Sequence, residues 1–290
     1  MADLPFDDRD GVIWLNGEMV EWREAKTHIL CHGLHYGGSV FEGVRVYNGR
    51  IFKSVEHAQR LLASGELIDM PLPFTAEEID KACEAVVAAN NVVNGYLRPV
   101  AWRGAEEMGI GASTCKTHVA VACWDWPSYF PPELREKGLS LMTTKWRRAD
   151  PATMPVHSKT AGLYAVGTMA KHEAMKAGYH DVLMLDYQGN VAESSGANLF
   201  CVKDGVIHTP IPHCFLNGIT RQTVMQLARD KGYEVVERTI TPDELAGMDE
   251  IFITGTAVEV TPIGKIDDMT FTPGAVTHDL IDAYEALVGK

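Results

Sequence analysis

The stretch His157-Ser158-Lys159-Thr160-Ala161-Gly162-Leu163-Tyr164 places one lysine among small residues, with a tyrosine five positions after it. Small neighbours leave room for a bulky group above the lysine, and a restricted setting can lower the pKa of an amine until its neutral form becomes a nucleophile. A lysine that forms a Schiff base needs both conditions. Most lysines are solvated surface charges, so the assignment depends on the residues that accompany Lys159 elsewhere in the chain.

The composition is typical of a globular enzyme with an acidic surface. The 290 residues exceed the usual size of a single core, so two domains are expected. Asp and Glu total 39 against 26 Lys and Arg, and the net charge of −13 disfavours a nucleic-acid partner. The sequence has no run of about 18 apolar residues and its N-terminus is polar and acidic, so we expect a cytoplasmic protein without a membrane partner.

The cysteines and histidines carry no recognisable metal motif. The six cysteines show no CxxC spacing, and the eleven histidines form no HExxH pattern. We therefore expect reduced, structural thiols and predict no metal site.

The first half of the chain predicts an antiparallel sheet. The dipeptides Asn16-Gly17 and Asn48-Gly49 supply the positive-φ positions of tight hairpins between short β runs. Residues 28–47 are predicted to be strands, and two more strands are predicted over 96–102 and 118–124. Two Asn-Gly turns so close together favour an antiparallel arrangement.

Two helices are predicted within this half. Ser54 is predicted to cap a helix over residues 55–70. Thr75, with Glu78 three residues later, forms a capping box for a second helix that ends near Asn91. Strands and helices in separate runs indicate an α+β fold.

Residues 125–137 are predicted to link two domains. The segment holds three prolines together with Trp126, Tyr129 and Phe130. A Pro-rich stretch resists helix formation, and aromatic residues in a linker usually pack between domains. The predicted organisation is a small N-terminal domain at 1–124, the linker at 125–137 and a larger domain at 138–290.

The second half alternates hairpins and helices. Hairpins are predicted over 181–193 and 198–209, and helices over 163–177, 218–232 and 276–288.

Three features of the second half accompany Lys159. The loops Asn217-Gly218-Ile219-Thr220, at a helix start, and Thr254-Gly255-Thr256-Ala257, after a strand, offer backbone N–H groups and hydroxyls that suit an anion. Glu193 ends a strand among small residues. Taken singly, the first loop is better explained as a helix cap and Glu193 as a solvated carboxylate.

The motifs occur together in one order along the chain. They are Tyr36-Gly-x-Ser-Val-Phe-Glu-Gly-Val-Arg45, Arg60, Lys159-x-x-Gly-x-Tyr164, Glu193-x-x-x-x-Asn198, Gly218-Ile-Thr-Arg221 and Gly255-Thr-Ala-x-Glu259. This set resembles the fold-type IV pyridoxal phosphate enzymes, and within them the branched-chain amino acid aminotransferases, from about Ile13 to Tyr284. The resemblance implies a small N-terminal α/β sandwich, a larger β-barrel-like domain with helices, and pyridoxal 5'-phosphate as the cofactor.

The resemblance implies a role for each cofactor-binding residue. Lys159 would hold the cofactor as a Schiff base and then move the substrate α-proton. Glu193 would pair with the pyridine nitrogen and keep it protonated, which makes the ring a better electron acceptor. Tyr164 would hydrogen-bond the phenolic oxygen of the cofactor. The residues that would bind the phosphate are Arg60, Gly218, Ile219, Thr220 and Thr256.

The resemblance also implies a substrate pocket formed mainly by the first half. Tyr96 and the backbone at Thr256-Ala257 would bind the α-carboxylate, and Arg98 would receive the distal carboxylate of glutamate or 2-oxoglutarate. An arginine under aromatic rings suits a pocket that must accept both a leucine-like chain and a carboxylate. The aromatic residues that would line this pocket are Tyr36, Phe41, Trp126 and Tyr129. Without the resemblance, Tyr36, Phe41 and Trp126 are equally well explained as core residues.

Met108-Gly109-Ile110 indicates an oligomer. In relatives a comparable Met-Gly-Val loop reaches across the dimer interface and shapes the pocket of the neighbouring subunit. The resemblance therefore implies a homodimer or a higher homo-oligomer.

The chain departs from the family pattern close to the cofactor residues. Thr160 stands where relatives commonly have a small apolar residue, His157-Ser158 replace small residues, and Ser194-Ser195 with Ala197 vary a stretch that often carries a second acid. None of these changes removes a residue that the cofactor needs, so they bear on substrate choice rather than on the reaction.

The leading hypothesis is transfer of the amino group of L-leucine, L-isoleucine or L-valine to 2-oxoglutarate by a ping-pong route. The alternative is a D-amino acid or (R)-selective amine transaminase of fold-type IV. D-specific relatives typically carry Arg-x-His where this chain has Arg98-Pro99-Val100, which favours the L-specific interpretation.

Two further alternatives are weaker. An aminodeoxychorismate lyase shares the cofactor site but eliminates pyruvate, and the Tyr96-x-Arg98 and Met108-Gly109-Ile110 features disfavour it. A non-catalytic binding protein of the same fold is disfavoured by the intact Lys159, Glu193 and Arg60.

Overall fold

The computed structural model describes residues 5–126 and 130–290. The chain forms two compact units. The first unit comprises Met1–Pro127 with Ser158–Gly162, and the second comprises Ser128–His157 with Leu163–Lys290. The predicted domain limits, with a linker at 125–137, stay a prediction.

The first unit is built on a seven-stranded sheet. Its strands are β1 (Val12–Leu15), β2 (Glu18–Glu21), β3 (Ser39–Phe41), β4 (Val44–Tyr47), β5 (Arg50–Ile51), β6 (Gly95–Arg103) and β7 (Thr117–Asp125). They lie in the antiparallel order β2-β1-β7-β6-β4-β5, with β3 also paired to β6. Asn16 and Gly17 (φ 53° and 105°) and Asn48 and Gly49 (φ 49° and 76°) form the two predicted hairpin turns.

The α-helices in the described part of this unit are α1 (His32–Tyr36), α2 (Ser54–Glu66) and α3 (Ala76–Ala89). α2 and α3 pack their apolar sides against one face of the sheet, where Leu61, Ile79 and Leu97 are fully buried. Burial of each such side chain stabilises the fold by about 1.5–3 kcal/mol. This is the expected small α/β sandwich.

Two local predictions in the first unit are wrong. Residues His32–Tyr36 are a helix rather than a strand, and the helix ends at Gly37, whose φ of 70° lies in the left-handed region. Ser54 does not cap α2, because it is already the first helical residue and Lys53 precedes it with a φ of 56°. The capping box of Thr75 and Glu78 is confirmed, with both reciprocal hydrogen bonds present.

The second unit is built on a nine-stranded mixed sheet. Its strands are β8 (Leu139–Arg147), β9 (Asp181–Leu185), β10 (Val191–Glu193), β11 (Asn198–Lys203), β12 (Val206–Pro210), β13 (Val235–Arg238), β14 (Glu250–Gly255), β15 (Glu259–Ile266) and β16 (Met269–Thr270). The order is β10-β9-β8-β15-β14-β11-β12-β13, and β10 also pairs with β11. That extra pairing closes six strands into a barrel, as expected for the larger domain, and the predicted hairpins β9–β10 and β11–β12 are confirmed.

The helices of the second unit are α4 (Pro132–Lys137), α5 (Tyr164–Lys176), α6 (Ile219–Asp230) and α7 (Ala275–Val288). The expectation that the Pro-rich stretch resists helix formation is wrong for α4, because proline is well tolerated in the first turn of a helix. Leu141, Leu199, Ile253 and Ile263 are among the fully buried residues that fill its core. No helix in the described part of the chain is long and apolar enough to cross a membrane.

Candidate active site

Hydrogen bonds hold the backbone of Lys159 within the first unit. Its N–H donates to Ser64 Oγ at 3.0 Å, and its carbonyl accepts the N–H of Phe41 at 3.1 Å. Ser158 Oγ donates to the carbonyl of Ser64 at 2.8 Å. Lys159 is therefore attached to α2 on one side and to the end of β3 on the other.

Ser158 and Thr160, which depart from the family pattern, both make hydrogen bonds to neighbouring residues. Thr160 forms an isolated β-bridge with Val40, and its Oγ1 donates to the carbonyl of Ser39 at 2.9 Å. Ser158 and Thr160 are both buried, whereas His157 is exposed. The two hydroxyls therefore fix the lysine segment to its neighbours.

The side chain of Lys159 belongs to an aromatic and cationic cluster of the first unit. Lys159 Nζ lies 4.9 Å from the centre of the Phe41 ring, and Arg98 Cζ lies 4.8 Å from the same centre and 5.5 Å from that of Tyr96. The rings of Tyr96 and Trp126 meet edge to face at 4.8 Å. Cations are attracted to aromatic faces at these distances. The structure thus brings together five of the residues predicted from the sequence.

Arg98 has unused hydrogen-bonding capacity. Its Nε is buried and has no hydrogen-bond partner among residues 5–126 and 130–290. Arg98 also lines a cavity of about 650 Å³ with Trp22, Trp124 and Trp126. A buried donor without a partner is unfavourable, and a ligand carboxylate would satisfy it.

Two further pocket residues were predicted from the first half, Tyr36 and Tyr129. Tyr36 lies on α1, is 50% exposed and stacks its ring on His32 with 4.8 Å between centroids. Tyr129 lies outside the described residues.

Arg60 forms a bidentate ion pair on α2. Its Nε and Nη2 donate to Glu42 Oε1 and Oε2 at 2.7 and 2.8 Å. Glu42 is fully buried and also contacts His57 Nδ1 at 2.6 Å. Burial raises the pKa of Glu42, but Arg60 and His57 outweigh it and lower that pKa to about 2. Glu42 is therefore an ionised carboxylate.

His57 is the neutral member of this group. Burial lowers the pKa of His57 more than Glu42 raises it. Since an ionised carboxylate only accepts, His57 Nδ1 must carry the hydrogen and donate it to Glu42.

Glu193 is held by a different arginine in the second unit. It ends β10, with Oε1 2.9 Å from Arg148 Nε, and its Oε2 accepts from Asn198 Nδ2 at 3.0 Å. Arg148 Nη2 donates to the carbonyls of Ser194 and Ser195 at 2.8 and 2.9 Å. The ion pair favours the charged carboxylate, and the two carbonyls fix the arginine that orients it.

Asn198 joins Glu193 to the two predicted anion loops. Its Oδ1 accepts the N–H of Gly218 at 3.2 Å, and its backbone pairs with Thr254 across β11 and β14. A Cβ at Gly218 would clash with Asn198 Oδ1, so this approach requires glycine. Glu193, the start of α6 and the end of β14 therefore meet around one side chain.

Both loops offer hydrogen-bond donors suited to an anion. Within the described chain, no side-chain hydrogen bond caps α6 at Gly218, so the backbone N–H groups of its first turn, at Ile219 and the buried Thr220, remain suited to an anion. Thr254 Oγ1 is buried and has no hydrogen-bond partner in the described ranges. The turn at Thr256 and Ala257 joins β14 to β15, and Tyr164, half-buried, begins α5.

Glu42, His57 and Arg148 are not among the residues predicted from the sequence. Glu42 stands inside the motif Phe41-Glu42-Gly43, and His57 lies three residues before Arg60 on one helix face, which are the signals that could have indicated them. Nothing local marks Arg148, whose partner Glu193 is distant in sequence.

Asp186, His213 and Cys214 also come together, although no metal motif is present in the sequence. Their potential ligand atoms lie within 4.8 Å of one another. Asp186 Oδ1 accepts the N–H groups of Gln188 and Asn190, each at 2.8 Å. These bonds give Asp186 a structural role in the turn after β9.

Comparison with known proteins gives the class of this chain. Residues 39–266 match the family described as amino-transferase class IV. The branched-chain-amino-acid aminotransferase of Pseudomonas aeruginosa is 43% identical over 288 residues, which cover 97% of this chain and 94% of that protein.

Solved structures agree with this result. The branched-chain aminotransferase of Thermoproteus uzoniensis, solved with norvaline, has a TM-score of 0.92 and 36% identity over 97% of this chain and 95% of that one. The branched-chain amino acid aminotransferase of Escherichia coli has a TM-score of 0.92 and 37% identity over the same shares of the two chains, 97% and 95%. A third branched-chain amino acid aminotransferase, that of T.th., was solved with pyridoxamine 5'-phosphate and has a TM-score of 0.93 and 43% identity, again over 97% of this chain and 95% of that one.

The chain therefore belongs to the class IV aminotransferase family, a family of pyridoxal phosphate-dependent transaminases. Within that family it groups with the branched-chain amino acid aminotransferases, which it matches over nearly its whole length. The predicted family, fold, enzyme class and cofactor are confirmed.

Proposed function

We propose that the chain transfers the amino group of L-leucine, L-isoleucine or L-valine to 2-oxoglutarate by a ping-pong route. The observation that supports this most is the position of Arg98 over the rings of Phe41 and Tyr96, with a buried Nε directed at no described acceptor. Such a cluster offers an apolar surface to a branched chain and a charged donor to a distal carboxylate.

The donor set fits pyridoxal 5'-phosphate. The group supplies an electron sink for the negative charge that develops at the substrate α-carbon. Its phosphate requires cationic and N–H donors, its ring nitrogen an acceptor, and its aldehyde an amine. Arg60, the start of α6, Glu193 and Lys159 are groups of those kinds.

Each cofactor residue then has a defined task. Lys159 would hold the cofactor covalently, and its Nζ would carry the proton removed from the substrate α-carbon. Glu193 would keep a proton on the ring nitrogen, with Arg148 and Asn198 fixing its carboxylate. Tyr164 would donate to the phenolic oxygen. The residues proposed for the phosphate are Arg60, Gly218, Ile219, Thr220 and Thr256.

The substrate residues divide by the part of the substrate that they contact. Tyr96 and the backbone of Ala257 bind the α-carboxylate, and Arg98 binds the distal carboxylate of glutamate. The aromatic residues proposed to line the side-chain pocket are Tyr36, Phe41, Trp126 and Tyr129.

The working form is proposed to be a homodimer or a higher homo-oligomer in the cytoplasm. Met108 and Ile110, in the loop between β6 and β7, are 46% and 90% exposed, and they offer an apolar surface that a second copy would cover. All six cysteines are free thiols, which suits a reducing compartment.

The test is a half-reaction panel on purified holoenzyme, followed by loss of its yellow colour. L-leucine, L-valine and L-glutamate are compared with D-alanine and an (R)-arylalkylamine. We expect fast bleaching by the three L-acids and slow bleaching by the other two. Fast bleaching by D-alanine or the amine would transfer the chain to the D-amino acid or (R)-amine alternative.

The variant Arg98→Met tests the carboxylate pocket within the same panel. It should slow the reaction of L-glutamate by roughly tenfold or more, because a charged hydrogen bond is lost, and leave that of L-leucine within about threefold. Equal slowing of both substrates would remove Arg98 from this role.

A further inference from the structure

We infer that Glu42 and His57 are positioning residues that fix the guanidinium of Arg60 for the cofactor phosphate. The inference rests on the proposed function, in which Arg60 binds that phosphate, and it adds the residues that make the arginine a directional donor.

The geometry of the pair is the first support. Glu42 engages the Nε and Nη2 edge of Arg60 through two bonds of 2.7 and 2.8 Å, and Glu42 itself is fully buried. A bidentate fork sets the plane of a guanidinium, which a single contact does not. Arg60 therefore has one preferred orientation.

A third bond fixes the carboxylate. The Nδ1 of His57, itself 2% exposed, lies 2.6 Å from Glu42 Oε2. Because neutral His57 donates here, the carboxylate cannot rotate without losing either this bond or the fork. Glu42, His57 and Arg60 thus form one rigid group, which we call the Glu42 triad.

The triad and the lysine segment contact the same two elements, α2 and the end of β3. His57, Arg60 and Ser64 follow one another at spacings of three and four residues, so they share one face of α2. Ser64 bonds the backbone of Lys159, and Phe41, next to Glu42, bonds it from the other side. The bonds that fix Arg60 therefore also tie α2 to the strand end that holds Lys159.

Stability alone does not explain such a triad. A buried ion pair is often no more stabilising than apolar residues of the same size, because both charges lose their hydration. The charged carboxylate is explained if its role is to orient an arginine that binds a ligand.

The charge balance makes the inference easy to test. Glu42 neutralises Arg60 while His57 is neutral, so Glu42→Gln adds one net positive charge beside the guanidinium. Attraction between net charges alone predicts that Glu42→Gln binds a phosphate more tightly. Positioning predicts the opposite, because the amide cannot accept both N–H groups of the fork.

The experiment compares the affinities of apoenzyme for pyridoxal 5'-phosphate and for pyridoxal, which lacks the phosphate, by equilibrium dialysis. Glu42→Gln should weaken binding of the phosphorylated form by roughly tenfold or more and leave pyridoxal within about twofold. His57→Gln, a milder change, should act in the same direction by about threefold. Glu56→Gln is the matched control, because Glu56 lies on the same helix in an exposed pair with Lys53, and it should change neither affinity.

The following outcomes would contradict the inference or the proposed function. If Glu42→Gln lost equal affinity for both compounds, or bound the phosphorylated one more tightly, Glu42 would not position Arg60. In an Arg60→Met background, Glu42→Gln should leave the ratio of the two affinities unchanged, and a further change would show that Glu42 does not act through Arg60. If Arg60→Met itself leaves that ratio unaltered, the phosphate assignment of the proposed function fails instead. Should Glu42→Gln not fold, the His57→Gln result decides alone.

Discussion

The two units each bury a carboxylate against an arginine, but the ligand-binding member of the pair differs. In the first unit Arg60 is proposed to bind the ligand, and Glu42 holds it through a two-bond fork with His57 in support. In the second unit Glu193 is proposed to bind the ligand, and Arg148 Nε lies 2.9 Å from its Oε1.

The difference lies in what anchors the supporting residue. The carboxylate of Glu42 is held by the side chains of Arg60 and His57, whereas the guanidinium of Arg148 is anchored by the backbone carbonyls of Ser194 and Ser195. A phosphate carries a charge that is bound most directionally by a fixed fork of N–H donors, and a ring nitrogen needs one fixed acceptor. Each supporting residue therefore suits the group that its partner is proposed to bind.

The largest expected effect is on the stability of the second unit. Arg148→Leu leaves Glu193 buried without its cation, so the free energy of unfolding should fall by about 3–5 kcal/mol. Urea unfolding measures this change. Arg238→Leu, which removes a partly exposed arginine paired with Glu244, is the control and should change it by at most about 1 kcal/mol. Similar losses in the free energy of unfolding of both variants would mean that the buried Arg148 pair contributes no more to stability than a partly exposed pair.

The two carboxylates should affect different kinetic quantities. Glu193→Gln should slow the half-reaction with L-leucine by about 10²-fold at saturating cofactor, because the acceptor for the ring proton is weakened. Glu42→Gln should mainly weaken cofactor affinity and leave the rate at saturation within about threefold. Single-turnover rates at several cofactor concentrations separate the two effects. If both variants changed the saturated rate, or both changed only the cofactor affinity, the two carboxylates would not have the different roles proposed here.

The pH dependence of stability should reveal Glu42. Its pKa is lowered from 4.5 to about 2 on folding, so the unfolded chain takes up this proton first as the pH falls. The stabilisation of about 3 kcal/mol is complete above pH 4.5 and disappears as the pH falls towards 2. The lowered pKa of His57 acts in the same direction below its ordinary value of 6.5.

Urea unfolding of the wild-type chain and of Glu42→Gln at several pH values isolates this contribution. The wild-type free energy of unfolding should fall more steeply than that of the variant below about pH 4.5. Parallel curves for the two proteins would show that the pKa of the Glu42 carboxyl is the same in the folded and the unfolded chain.

The smallest expected effects come from the uncharged residues that support each region. Ser64→Ala removes the acceptor of the Lys159 N–H, and Asn198→Ala removes bonds to Glu193 and Gly218. Each should lower the free energy of unfolding by about 1 kcal/mol. Thr168→Ala, which deletes an exposed hydroxyl that donates to the carbonyl of Tyr164 within α5, should change it by less than about 0.5 kcal/mol. If Thr168→Ala lowered the free energy of unfolding as much as the other two variants, the bonds of Ser64 and Asn198 would be no more important than an exposed one.

Sequence reasoning succeeds where the signal is local. Asn16-Gly17 and Asn48-Gly49 specify their turns because a positive φ is needed at both positions of a tight hairpin. Thr75 and Glu78 specify a capping box for the same kind of reason. The short helix His32–Tyr36 was not predicted, because five residues that include a glycine give no helical period and lie beside strand-forming residues.

The supporting residues of the candidate site could not be predicted in the same way. Glutamate is rarely fully buried, so Glu42 is expected on the surface until the contacts of Arg60 and His57 are known. The role of Arg148 follows from its contact with Glu193, and these two residues come together because β8 and β10 pair with opposite edges of β9. Motif residues are visible in a sequence, whereas the partners that orient them depend on tertiary contacts.

The most direct test of the whole account is the identity of the lysine that carries the cofactor. Purified holoenzyme is treated with borohydride, which makes a reversible bond between cofactor and lysine permanent, and the labelled peptide is mapped by mass spectrometry. We expect a label on Lys159 alone, with no labelled peptide and no multiple-turnover transamination in Lys159→Ala. A label on any other lysine, or sustained turnover by that variant, would contradict it.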